Sequence, residues 1–119
     1  MIAPNAFAPG DLVLVHLVNP TEKFWGVLVD LGVAGVTLRG IGVSSFDDWV
    51  AQAARAEGRP TLDLTTMFVP LFRVERMFRD EAVGEVESYG RRFEKRVGQA
   101  VEEFLGLRGD AGGGAQMPS

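Results

Sequence analysis

The chain has a single histidine, His16, and no cysteine in 119 residues, so few side chains could do chemistry. A neutral imidazole acts as a base only where a carboxylate and a nucleophile converge on it. Ser44 and Ser45 are available hydroxyls, but neither stands in the strained G-x-S-x-G turn that exposes a catalytic serine. His16 therefore reads as a structural or exposed strand position. Asp47 and Asp48, with Asp30, could be taken for a metal-binding carboxylate cluster. The first turn of a helix explains the first two without a metal, because the helix dipole favours negative charge there. The glycines of GVAGVTLRGIG superficially suggest a phosphate loop, yet such a loop opens a helix and these open a strand. No catalytic residue, metal ligand, cofactor or small-molecule substrate is expected.

The charge balance narrows the partners. The net charge is -4, and of the segments 1 to 40, 41 to 65, 66 to 80 and 81 to 119 only 66 to 80 is positive, at +1. Nucleic-acid affinity scales with the number of phosphates neutralised, so an acidic chain is a poor non-specific binder. Lys23, Arg39, Arg73 and Arg76 are the residues that would contact phosphate if nucleic acid were bound, and this is the alternative expectation. Solvated strand edges paired with Glu75 and Asp80 are the simpler account of the arginines. No run approaches 18 apolar residues, and MIAPNAFAPG has neither a basic region nor a long apolar core. Neither a membrane span nor a signal peptide is expected, and the default location is cytoplasmic.

The elements that must carry these side chains follow from periodicity and punctuation. Residues 1 to 10 read as an irregular arm ending in the Pro9-Gly10 turn signal. DLVLVHLVN is an apolar run bounded by Gly10 and Asn19-Pro20, which suits a strand buried on both faces. Two further strands follow, about Lys23 to Leu31 and Val36 to Val43, with a turn at Gly32 to Gly35 and a candidate bend at Gly26. One of Phe24 and Trp25 should be buried and the other partly exposed. A short helix over about 45 to 57 is predicted from Ser45 as cap, acids in the first turn and Gly58 with Pro60 as the stop. Two short strands parted near Pro70 account for TTMFVPLFRVERMF.

From Asp80 the spacing changes to threes and fours through Val83, Val86, Gly90, Phe93, Val97, Ala100, Phe104 and Leu107. This predicts a heptad-patterned helix over 81 to 107, with Val86, Phe93, Val97 and Phe104 as an assembly seam facing a second subunit. The Gly-rich segment 108 to 119 reads as a disordered tail.

The strand order resembles that of the small Sm-like barrels. FWGVLVDLGVAGVTLRG is similar to the first Sm motif as it occurs in the bacterial Hfq branch. Gly26 stands at the bending glycine, Leu28 and Leu31 at core positions, and Val36 and Leu38 at the apolar positions of the third strand. TMFVPLFRVERMF is similar to the second motif, and the Ser45 helix falls in the family's length-variable loop. The resemblance covers roughly residues 12 to 42 and 65 to 79. It implies an α+β chain whose residues 11 to 80 form a strongly bent antiparallel barrel of about five strands, with the inserted helix and the long C-terminal helix added. It does not carry the family's RNA site, because Gly32 replaces the acidic residue of the first motif. Val69-Pro70-Leu71 likewise replaces the basic turn. The function expected is a non-catalytic module that self-associates or binds a protein partner, through a sheet edge and the C-terminal seam. An RNA- or DNA-binding ring is the alternative.

Overall fold

The computed structural model describes residues 7 to 55 and 62 to 107. The end of the predicted inserted helix, most of the N-terminal arm and the predicted tail lie outside these residues. The chain is α+β. Five antiparallel strands, β1 (Leu12–Leu17), β2 (Glu22–Leu31), β3 (Gly35–Gly42), β4 (Thr65–Pro70) and β5 (Val74–Arg79), lie in the order β4-β3-β2-β1-β5. Among the described residues there are also three α-helices, α1 (Phe46–Arg55), α2 (Tyr89–Val97) and α3 (Val101–Phe104).

Strand β1 lies between β2 and the edge strand β5 and contributes to both apolar layers. Its side chains alternate between two apolar environments, which is why the sequence shows a continuous apolar run rather than polar alternation. Val13, Val15 and Leu17 join Leu28, Val36, Leu38 and Val69 in one buried cluster, with Met67, Val74 and Met77 packed against it. This cluster draws on all five strands and on no helix. Val13 and Val15 are nonetheless fully buried, so the sheet must curl around them. Leu12 and Leu14, on the opposite face, pack against Trp25, Ile41, Phe46, Trp49, Val50, Phe93 and Val101. There the three helices cover the sheet.

Gly26 lets the β3 backbone lie close against β2. A Cβ there would lie 2.3 Å from the Arg39 carbonyl oxygen and 2.5 Å from the Gly40 Cα, distances that no side chain tolerates. The expected closed barrel is realised only as a curled sheet, because β4 and β5 are not paired with each other.

The long helix expected over 81 to 107 does not form. Val83 and Val86 instead face each other across a tight turn, with Gly84 at φ 62°. Ser88 then caps α2 by accepting from the Arg91 amide at 3.0 Å. Gly98, at φ 87°, ends α2 in the left-handed conformation that glycine adopts without penalty. The heptad spacing arose because Phe93 and Val101, from two separate helices, reach the same internal core. Val86 lies outside that core and is largely exposed.

Helix α1 occupies the expected place, but its entry differs. A 3-10 turn over Val43–Ser45 leads into it, and the Phe46 amide donates to the Val43 carbonyl. Asp47 and Asp48 lie in its first turn, as a helix dipole favours.

Candidate interaction surfaces

The four basic residues singled out for nucleic acid do not converge. Arg73 turns inward as a strap. Its Nε donates to the Val18 carbonyl at 3.0 Å, and its Nη2 donates to the Pro20 carbonyl at 2.7 Å and to Glu22 at 3.1 Å. The Val18 amide returns a bond to the Arg73 carbonyl at 2.8 Å. Arg73 thus pins the β1–β2 turn to the β4–β5 connection. Arg39 stands opposite Val27 and Thr66 on the other side of the sheet centre. Only Lys23 and Arg76 come together, one on each side of His16.

His16 is partly buried, with its ring edge-on to Phe78 at 4.9 Å. Burial first, then the charges of Lys23 and Arg76, hold its imidazole below its ordinary value, against the opposing pull of Glu75. Among the described residues no cluster of histidine and carboxylate side chains could hold a metal ion. Asp30 is apart from Asp47 and Asp48, on another element.

Of the expected seam, Phe93 is fully buried and Val97 packs beside it. Phe104 is partly exposed while its ring still meets Phe93 at 5.0 Å and Trp49 at 6.1 Å. These contacts are with the chain's own α2 and α1. Phe93, Val97 and Phe104 therefore contribute to the internal core while Val86 stands exposed outside it, and no continuous helix presents the four as one seam toward a second subunit.

The sheet edges offer surface that sequence periodicity did not reveal. In β4, Thr65, Thr66 and Phe68 are exposed, and no charged residue occurs anywhere in TTMFVP. Phe68 is 55% exposed, and beyond the end of the strand Phe72 is 84% and Leu71 46% exposed. The Leu71 amide donates to the Ala34 carbonyl at 2.9 Å, which draws the β2–β3 hairpin and its exposed Val33 up to the same end. Edge β5 is built differently. It carries Glu75, Arg76 and Arg79, and its register with β1 shifts between His16 and Leu17. Charges and bulges are the devices by which an edge strand resists pairing with another chain.

Compared with known proteins, the chain matches no family model, no curated protein and no solved structure. Among the described residues no helix is long and apolar enough to cross a membrane.

Proposed function

We propose that this chain is a non-catalytic assembly module that self-associates through the β4 edge of its sheet. The observation that carries the reading is the contrast between the two edges. Edge β5 is charged and irregular, while β4 is uncharged, has a blunting residue only at its last position, Pro70, and runs into the exposed apolar group of Phe68, Leu71, Phe72 and Val33. An unprotected edge strand is a template for another strand, because its outward N–H and C=O groups have no partner in the sheet. Pairing β4 with the β4 of a second copy about a two-fold axis is antiparallel and self-complementary, so the association closes at a dimer. An Sm-like relationship is the fold reading that the glycine at position 26, where β3 lies close against β2, and the curled sheet support.

Sedimentation equilibrium tests this. The wild-type chain is expected as a dimer at micromolar concentration. Phe68→Lys and Thr66→Lys, each placing a charge on an already exposed β4 position, are expected to give a folded monomer. A wild-type monomer up to about 100 μM, a weak affinity on the usual scale, would overturn the reading, as would dimers that survive both substitutions.

A further inference from the structure

On the sheet face that carries the helices, one rung is composed of basic residues. Lys23 on β2, His16 on β1 and Arg76 on β5 stand directly opposite one another. Opposed residues of antiparallel strands have Cα atoms about 4.5 to 5.5 Å apart, so Lys23 and Arg76 are roughly 10 Å apart with the imidazole between them. Like charges facing each other across strands destabilise a sheet, and this rung concentrates them.

Little compensates for that charge. Lys23 has no ion-pair partner among the described residues, and the only acid near Arg76 is its chain neighbour Glu75, at 3.5 Å. Both members of that pair are largely exposed, which makes it weak. The Phe78 ring stands edge-on to His16 and lies 6.0 Å from the Arg76 guanidinium, which keeps both side chains on this rung. Beside Lys23 lies an open groove of about 560 Å³, whose lining includes Thr21, Phe24, Val43, Ser44 and one acid, Glu22, which Arg73 pairs at 3.1 Å. Cationic ends, a titratable donor at the centre and hydroxyl residues alongside form the donor set that a phosphate group takes.

We propose that the Lys23–His16–Arg76 rung binds a phosphate-bearing anion, with its oxygens bridging the two cations across His16. A doubly charged ligand neutralises the rung, and the groove beside Lys23 receives whatever the phosphate is attached to. Glu75 competes with the ligand for Arg76.

The single histidine makes the test direct, because one imidazole resonance reports on the site. His16 is titrated by NMR in inorganic diphosphate, in adenosine diphosphate, and in sodium chloride of matched ionic strength. Either phosphate is expected to raise the His16 pKa by about one unit over chloride, which corresponds to tenfold tighter binding to the imidazolium form. Lys23→Gln and Arg76→Gln, both at exposed positions, are each expected to lose most of that shift, and Glu75→Gln to enlarge it. An equal response to the two phosphates assigns the site to the anion alone, and a larger response to the nucleotide adds the groove. No shift beyond chloride would overturn the proposal, and so would a shift that persists in Lys23→Gln, a substitution at an exposed position.

Discussion

The Trp25 indole N–H donates to Asp80 Oδ2 at 3.1 Å, joining the centre of β2 to the segment that follows β5. The same carboxylate accepts from the amides of Tyr89 at 2.8 Å and Gly90 at 2.8 Å, the first residues of α2. One side chain therefore satisfies a buried indole and the open end of a helix nine residues further along the chain. Three accepted bonds exceed an ordinary cap, so Asp80→Ala is expected to cost about 2 to 4 kcal/mol in denaturant unfolding. The Trp fluorescence of the folded state should change with it. A loss below about 0.5 kcal/mol, the low end for a single cap, would mean that the helix layer is held by apolar packing alone.

Phe93 lies at the centre of that layer, between Trp49 at 5.2 Å and Phe104 at 5.0 Å. Phe93→Ala should cost about 3 to 5 kcal/mol, the range for truncating a fully buried aromatic ring. The variant's oligomeric state should be that of the wild type. Dissociation at full stability would return Phe93 to an intermolecular seam.

Gly26 gives a steric prediction. Gly26→Ala places a methyl group 2.3 Å from a backbone oxygen on β3, and backbone cannot swing aside as a flexible side chain can. The loss should reach about 3 kcal/mol or more, the upper end for overpacking, and thermal melting would measure it. An unchanged melting temperature would show that β3 does not lie so close against β2 at this position.

These residues show how much of the molecule was legible in the sequence. The five strands, the turn at Gly32 to Gly35 and the placement of α1 were readable, because local punctuation and tertiary structure agree there. The pairing of Trp25 with Asp80 was not readable, since 55 residues separate them and no local pattern links an indole to a cap. The helix over 81 to 107 failed for the same kind of reason. Exposed Val83 and Val86 of a turn, followed by core residues of two separate helices, produced an apparent period that Gly84 and Gly98 interrupt. The basic residues were identifiable by type alone. Their grouping depended on strand register, which put Lys23 and Arg76 beside His16 and sent Arg73 inward.

His16 also sets a pH dependence. Its imidazole lies below its ordinary value of 6.5 in the folded chain, chiefly through burial and then through Lys23 and Arg76. Between the folded value and 6.5 the unfolded state binds more protons, so this contribution makes stability rise with pH and falls away as pH drops from above 6.5 through the folded value. The denaturation midpoint of the wild type should decline between about pH 7.5 and pH 5.5 more steeply than that of His16→Gln. Parallel pH profiles for the two would remove His16 from the account.

Hydrogen exchange along the two edge strands tests the assembly reading most directly. As protein concentration is raised from the low micromolar range, the outward amides within Thr65 to Val69 are expected to gain protection. Those of Val74 to Arg79 should exchange at a constant rate. Protection that does not change with concentration on β4, or that grows on β5 instead, would contradict association through the uncharged edge.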